Sequence, residues 1–266
     1  MKLLMYIILG FIQGFTEPIP VSSSGHLVIF NYLFKLEEFN DLNFEIFVNF
    51  GSFIAITYFY RKEIIKIIKD FILYIKTKNI NYYKNYKYLW LIVVGTIPAG
   101  IIGFIFKNKI ESINNIKIVG ISLLITSIML FLVKDINGKK KKENMTFIDS
   151  LIVGLFQVIA LFPGISRSGS TLVGGLCRNL DRNTAFHYSF MLYLPISIAT
   201  MILGVKDIAN NVNNNLLIPY IIGMLVSILT TYFSIKWFKN IMEKGKLKYF
   251  VYYCLIAGLL VIFLLK

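Results

Sequence analysis

Apolar runs long enough to cross a bilayer are the feature that most limits what this chain can fold into. A spanning helix needs about 17 to 25 mostly apolar residues, and runs of this kind recur along the whole sequence. Hydrophobic residues make up 56% of the chain and charged residues only 16%. A typical soluble domain has roughly 25% charged residues. The pattern predicts an all-α, polytopic membrane protein and excludes a soluble enzyme held by one anchor.

Six runs are predicted to span the membrane. They cover residues 44–60, 89–106, 118–133, 185–204, 217–235 and 249–265. The first is followed by a basic stretch in which isoleucines alternate with lysines. This pattern predicts that the first span continues as a helix lying at the membrane surface.

Two pairs of apolar stretches are too short to span, and a polar break divides each pair. Residues 2–16 would form a helix of about 22 Å, shorter than the roughly 30 Å hydrocarbon core. Pro18 and Pro20 end this helix, and the serines at 22–24 can cap a second one that runs to about Phe34.

The second half of the chain contains the same arrangement. Residues 147–162 precede a break at Pro163-Gly164, and residues 168–180 follow it. A polar break at membrane depth is tolerated only where protein or a water-filled cavity surrounds it. We therefore predict that each pair of short helices is a re-entrant hairpin.

Short sequence matches relate the two halves. Gly10-Phe11-Ile12-Gln13 aligns with Gly154-Leu155-Phe156-Gln157 at an offset of 144 positions, and Pro20-x-x-Ser23 aligns with Pro163-x-x-Ser166 at 143. Each half holds one hairpin and three spans. Because three is an odd number, the halves must have opposite orientations. This predicts an inverted-topology repeat, with a site where the broken helices of the two halves meet.

Charge predicts how the chain is oriented and divided. The basic segments placed inside the cell are 61–88, 134–146 and 236–248, and the loops placed outside are 37–43, 107–117 and 205–216. Both chain ends then lie outside, the first hairpin enters from outside and the second from inside. The single membrane domain comprises repeat 1 (about 1–133), the basic linker (about 134–146) and repeat 2 (about 147–266). This topology explains the formal net charge of +14, so no nucleic-acid partner is expected.

The two breaks carry groups suited to one anion. Each break presents the N-terminus of a half-helix, where free N–H groups and the helix dipole favour negative charge. Arg167 adds a forked cation that matches phosphate oxygens. Seven hydroxyls supply donors or a nucleophile: Ser22, Ser23, Ser24, Ser166, Ser168, Ser170 and Thr171. We predict a phosphate or diphosphate site at membrane depth.

Two further groups near the first break have open assignments. Glu17 lies one turn after Gln13 on one helix face, and it can either hold a divalent cation with the amide oxygen or act as a base. His26 is a candidate general acid or base. Glu45 is either a helix cap or a further metal ligand. We expect His187, for which the sequence offers no partner, to be structural.

These residues resemble the bacterial undecaprenyl-diphosphate phosphatases, also called bacitracin-resistance proteins. The resemblance covers essentially the whole chain and rests on two motifs: Gln13-Gly14-Phe15-Thr16-Glu17-x-x-Pro20-Val21-Ser22-Ser23-Ser24-Gly25-His26 and Pro163-Gly164-x-Ser166-Arg167-Ser168-Gly169-Ser170-Thr171. It implies hydrolysis of undecaprenyl diphosphate, recycling of the lipid carrier for wall synthesis, and bacitracin resistance. It also implies a multi-pass bacterial plasma-membrane enzyme whose site opens towards the outer face. A homodimer is compatible with the sequence.

The resemblance also implies residue roles. Ser23 is the nucleophile or its aligning hydroxyl, His26 the acid or base, and Arg167 the diphosphate clamp. Glu17 is the metal ligand or base for Mg²⁺ or Ca²⁺, with Gln13 and Glu45 as further candidate ligands. Many family members have Glu where this chain has Gln13. The residues expected to line the substrate site are Ser22, Ser24, Ser166, Ser168, Gly169, Ser170 and Thr171.

One other function remains open at this point, and a second does not fit the spacing of the residues it needs. An inverted repeat of broken helices is also a transporter architecture, so the chain could transport or flip a phosphorylated lipid or anion. Transport does not need the Ser23, His26 and Glu17 cluster. The type-2 phosphatidic-acid phosphatases share Ser-Gly-His and Ser-Arg fragments, but they need a His and an Asp shortly after Ser-Arg. Here His187 lies twenty residues after Arg167, with Asp181 before it.

Overall fold

The computed structural model describes residues 2–34, 42–113, 115–211 and 216–265. Over these ranges the chain forms helices and no strand. The helices are α1 (Lys2–Thr16), α2 (Ser23–Leu33), α3 (Leu42–Thr77), α4 (Ile80–Ser112), α5 (Ile116–Val133), α6 (Phe147–Ile159), α7 (Arg167–Cys177), α8 (Arg182–Asn211), α9 (Leu217–Glu243) and α10 (Lys248–Leu264), with a short 3₁₀ turn at Lys142–Asn144 before α6. The acidic residues of the predicted loop 37–43 and residues 212–215 lie outside the described ranges.

The helices confirm a multi-pass membrane protein. Four stretches are long and apolar enough to cross a bilayer: Ile80–Phe106, Ile116–Val133, Arg182–Ile202 and Leu217–Glu243. The predicted spans 44–60 and 249–265 are also helical, as the first half of α3 and as α10. Large apolar side chains such as Phe104, Leu132 and Ile218 are about 70% exposed, which suits surfaces that face lipid.

Both polar breaks occur where the sequence predicts them. The first lies between α1 and α2, where the Ser22 Oγ caps α2 by accepting the Gly25 N–H at 3.2 Å. The second lies between α6 and α7, where the Ser166 Oγ caps α7 by accepting the Gly169 N–H at 3.1 Å. The two capping serines are 144 positions apart, like the glutamines. Ser22 and Ser166 thus have the same capping role, although the sequence alignment pairs Ser166 with Ser23.

The basic extension after residue 60 is part of a long helical hairpin. The helix α3 continues without interruption to Thr77, and α4 starts at Ile80. The two helices pack against each other through Phe71 and Tyr86, whose rings stack at 5.3 Å. The predicted continuation of the first span as a helix is confirmed as far as Thr77, and this continuation pairs with α4. Its position at the membrane surface stays a prediction.

Two close helix contacts depend on glycine. A Cβ added to Gly10 in α1 would lie 2.3 Å from the Gly223 carbonyl oxygen in α9. A Cβ added to Gly154 in α6 would lie 2.4 Å from the Gly95 carbonyl oxygen in α4. Backbones approach this closely at small residues in membrane helices. Gly10 and Gly154 are also the residues that the internal alignment pairs, and each lies against a glycine carbonyl oxygen of another helix.

Replacing Gly154 by Ala is expected to destabilise the protein by about 1–3 kcal/mol, because the new methyl group overlaps a backbone oxygen that cannot rotate away. Gly10→Ala should do the same. The measurement is the thermal unfolding midpoint in detergent. Gly100→Ala is the matched control, since an added Cβ there meets nothing within 4 Å. Equal midpoints for Gly154→Ala and Gly100→Ala would contradict the close packing.

Candidate active site

The two breaks are in direct contact. The Ser168 Oγ donates a hydrogen bond to the Ile19 carbonyl oxygen at 3.0 Å. A Cβ added to Gly169 would lie 3.3 Å from the Pro20 Cβ, and one added to Gly25 would lie 3.4 Å from the Gly164 Cα. Residues about 140 to 150 positions apart thus form one compact polar region, which places the N-termini of α2 and α7 beside each other.

Glu17 is the centre of this region. Its carboxylate is buried, with only 8% of the residue exposed. Arg167 donates to one carboxylate oxygen through Nη2, and Ser23 donates to the other through Oγ. Gln13 Nε2 donates to that second oxygen at 2.8 Å. A buried carboxylate needs such charge-assisted partners, and here they come from α1 and from the starts of α2 and α7.

Arg167 is held from a third side by α8. Its guanidinium carbon lies 4.3 Å from the centre of the Tyr193 ring, and its Nη1 lies 3.5 Å from the Ser197 Oγ. A guanidinium stacked on an aromatic ring keeps its fork in a fixed plane. Tyr193 and Ser197 could not be identified from the sequence, because a tyrosine and a serine within an apolar helix give no signal of their own.

Ser22 has an unusual backbone that orients its neighbour. Its φ is 68°, in the left-handed region that side-chain-bearing residues rarely adopt. Such a conformation costs about 1–3 kcal/mol and tends to occur at functional sites. With Ser22 as the cap, Ser23 becomes the first residue of α2 and its hydroxyl reaches Glu17.

Most of the other predicted hydroxyls serve the backbone. The Ser22 and Ser166 hydroxyls are helix caps. Ser170 donates to the Ser166 carbonyl at 2.9 Å, and Thr171 donates to the Arg167 carbonyl at 2.9 Å. Ser24 is exposed beside the cluster. Among the seven predicted hydroxyls, Ser23 is the one that hydrogen-bonds to the Glu17 carboxylate within the described ranges.

The hydrogen-bond partners of His26 in the described part of the chain do not include Glu17. Its Nδ1 lies 2.7 Å from the Ser22 carbonyl oxygen, and its Nε2 lies 2.5 Å from the Tyr253 hydroxyl. A carbonyl oxygen only accepts, so Nδ1 carries the proton and Nε2 accepts from Tyr253. The two rings stack at 5.6 Å. His26 is therefore hydrogen-bonded to Tyr253, a residue that the sequence did not indicate. The role of His26 as a general acid or base stays a prediction.

Oxygen donors at this site fit a hard divalent cation. Gln13 Nε2 also donates to the Asn49 Oδ1 at 2.8 Å, while its Oε1 is buried without a hydrogen-bond partner in the described part of the chain. Glu45 lies one turn before Asn49 on α3. The described residues contain no group of three His, Cys, Asp or Glu side chains that could hold a metal. Amide and carboxylate oxygens are the kind of donor that Mg²⁺ takes, and this ion completes its shell with water and phosphate oxygens.

His187 has partners that the sequence did not reveal. Its Nε2 contacts Glu63, and its Nδ1 lies 3.2 Å from the Tyr88 hydroxyl. Lys142 Nζ lies 2.6 Å from the other Glu63 oxygen. Partial burial alone would raise the pKa of Glu63, but His187 and Lys142 outweigh burial and lower that pKa to about 2. This second polar cluster links α3, α4 and α8 and contains no residue of the Glu17 site.

The fold and the site define a class: a multi-pass helical membrane protein in which two broken helices place an arginine and a serine on one buried carboxylate. A family model described as "Bacitracin resistance protein BacA" matches residues 6–260. The chain belongs to this family, which confirms the resemblance seen in the sequence.

Full-length relatives agree with the family match. The chain is 42% identical over 264 residues to undecaprenyl-diphosphatase 1 of Bacillus cereus, covering 98% of this chain and 97% of that protein. It is 40% identical over 264 residues to the undecaprenyl-diphosphatase of Oceanobacillus iheyensis, covering 98% of this chain and 96% of that protein.

Proposed function

We propose that this protein hydrolyses undecaprenyl diphosphate to undecaprenyl phosphate and inorganic phosphate. This activity recycles the lipid carrier for cell-wall synthesis and confers bacitracin resistance. The observation that carries the proposal is the junction of the two breaks, where Arg167 and Ser23 meet on Glu17. The relatives named undecaprenyl-diphosphatase, similar over almost the whole chain, supply the substrate.

The chain's own residues divide the work as follows. The Arg167 fork and the free N–H groups at the starts of α2 and α7 bind the diphosphate oxygens. Glu17 accepts the proton of the attacking hydroxyl, which is either Ser23 or a water beside it. The hydroxyl oxygen bonds to the terminal phosphorus of the diphosphate as the bond from that phosphorus to the bridging oxygen breaks. Undecaprenyl phosphate then leaves with the bridging oxygen. If Ser23 attacks, water then releases phosphate from the serine.

A divalent cation, Mg²⁺ or Ca²⁺, belongs to this proposal. Glu17 and the Gln13 Oε1 would hold it, with Glu45 as a further ligand, and it would neutralise charge on the phosphate oxygens. The unpartnered Oε1 of Gln13 supports this assignment. The Asn49 Oδ1 accepts a hydrogen bond from the Gln13 Nε2, which fixes the orientation of the Gln13 amide.

An inverted-topology repeat accounts for the way the site is assembled. The equivalent contacts of Gly10 and Gly154 and the common offset of 144 support a repeat of residues 1–133 and 147–266. By that offset Ser23 and Arg167 are counterparts, each the first residue of its half-helix. In this arrangement both breaks are re-entrant, each half adds three spans, and the site opens towards the outer face of the bacterial plasma membrane.

The purified protein is expected to release phosphate from undecaprenyl diphosphate, and a chelator should suppress release until Mg²⁺ or Ca²⁺ is restored. Loss of the cation should lower the rate rather than unfold the protein, because helix packing does not depend on it. Circular dichroism with and without chelator provides the control. No release by folded protein with any cation would overturn the proposal and favour transport of a phosphorylated lipid or anion.

A further inference from the structure

A basic cavity lies in the α3–α4 hairpin, apart from the Glu17 site. It has a volume of about 780 Å³ and is bounded by α3, α4 and the turn at Lys142–Asn144. None of the residues of the Glu17 site lines it, whereas Glu63, Tyr88 and Lys142 of the second polar cluster do. Five lysines line this cavity: Lys62, Lys66, Lys84, Lys87 and Lys142.

The cavity has positive charge that its own residues do not balance. Lys142 is paired with Glu63 at 2.6 Å, but the other four lysines make no ion pair within the described ranges. The remaining carboxylates of the lining are two. Asp70 accepts a hydrogen bond from Asn85 at 2.6 Å, and Glu143 is exposed. Four lysines therefore face two carboxylates, so the lining carries a net positive charge that a bound anion would offset.

Topology alone does not explain this arrangement. Basic residues are expected in a cytoplasmic segment, but they need not point the same way. Lys69, Lys76 and Lys78 belong to the same segment and do not line the cavity. Four of the five cavity lysines come from the two antiparallel helices of the hairpin, and Lys142 comes from the turn before α6. All five line one space, to which Asn81 and Tyr82 add amide and hydroxyl groups.

A phosphate group matches this lining. Lysine binds phosphate as a mobile point charge with three donors, and several such charges suit a dianion. On α3, Ile65, Ile68, Ile72 and Ile75 are exposed at three- and four-residue spacings, which is an apolar stripe suited to lipid chains. Phosphate on a lipid headgroup and free inorganic phosphate present the same chemistry to the lysines.

We propose that the α3–α4 cavity is a second anion site that takes a phosphate group, separate from the Glu17 site. The site goes beyond the proposed hydrolysis and does not depend on it. Its test therefore uses Arg167→Ala protein throughout, so that phosphate held by the Glu17 site does not contribute.

The first arm measures binding of radiolabelled inorganic phosphate by equilibrium dialysis in detergent at low ionic strength. Lys66→Gln/Lys87→Gln should lower the affinity about tenfold or more, because hydrogen bonds to a charged group are lost. Lys69→Gln/Lys76→Gln removes the same charge outside the cavity and should leave the affinity unchanged. Lys66→Arg/Lys87→Arg keeps the charge and should restore binding, with circular dichroism confirming the fold of each variant.

The second arm identifies the source of the phosphate group. Protein is reconstituted in phosphatidylcholine vesicles with a minor fraction of phosphatidylglycerol, extracted, and analysed for retained lipid. If every protein except Lys66→Gln/Lys87→Gln retains phosphatidylglycerol, the cavity is a site for a lipid headgroup. If inorganic phosphate binds but no phosphatidylglycerol is retained, the cavity is a site for free phosphate. Equal behaviour of the cavity and control variants in both arms would overturn the proposal.

Discussion

Glu17→Gln should lower phosphate release from undecaprenyl diphosphate by about 10²–10⁴-fold, the range for loss of a general base. The amide would keep the size of the side chain but could not accept the proton of the attacking hydroxyl. It would also leave the Arg167 cation without its counter-charge, which disturbs the geometry of the fork. The measurement is the initial rate of phosphate release by purified protein.

A matched control distinguishes this effect from a general response to losing a carboxylate. Asp135→Asn makes the same chemical change at a side chain that is 83% exposed, and its rate should equal that of the wild type. Thermal midpoints of both variants show whether each is folded. A folded Glu17→Gln protein with a rate near that of the wild type would remove Glu17 from the chemistry.

Arg167→Ala should lower kcat/KM by about 10²–10³-fold, the usual loss when a donor to a developing oxyanion is removed. Arg167→Lys should recover only part of this loss. Lysine restores the charge but cannot offer two parallel donors to the phosphate or keep the stacked position over Tyr193. Steady-state kinetics on both variants provide the comparison.

Arg178→Lys is the control for this series. Arg178 lies at the other end of α7, where its Nε donates to Asp149 at 2.9 Å, far from the breaks. The same exchange there should leave kcat/KM unchanged. If Arg167→Lys kept the full wild-type rate, a single positive charge would be enough to bind the diphosphate. The proposed binding of diphosphate by two parallel Arg167 donors would then be wrong.

Local signals explain why so much of the fold could be predicted. Proline, glycine and serine at Pro18, Pro20 and Pro163-Gly164 act within a few residues, so the breaks and the helices that flank them follow from the sequence. Hydropathy places the long helices in the same way. The offset of 144 was also visible, because glutamine is rare within apolar runs.

Apart from the meeting of the two breaks, contacts between distant segments could not be predicted. His26 and Tyr253 are 227 positions apart, and Glu63 and His187 are 124 apart. Each pair depends on how long helices pack, and a single tyrosine or histidine in an apolar run gives no sign of its partner. Tyr193 was missed for the same reason, although it stacks on the arginine that the sequence did identify.

The roles of the hydroxyls show a different limit. Seven hydroxyls near two helix starts predicted a polar site, and the two helix starts do lie together in one cluster of polar side chains. Their individual tasks depend on backbone geometry: a serine at the cap position turns towards its own helix, as Ser22 and Ser166 do, while the next residue points into the site. Because Ser22 takes the cap position, Ser23 is the first residue of α2 and its hydroxyl contacts Glu17.

The central claim is that the two breaks form one catalytic unit, and a double-mutant cycle on phosphate release from undecaprenyl diphosphate tests it most directly. The four proteins are the wild type, Ser23→Ala, Arg167→Ala and the double variant. The effects of substitutions on residues that act as a unit do not add. Each single variant should therefore lose most of the rate, and the rate of the double variant should be little lower than that of the slower single variant. Fully additive losses, or a wild-type rate in either folded single variant, would contradict the claim.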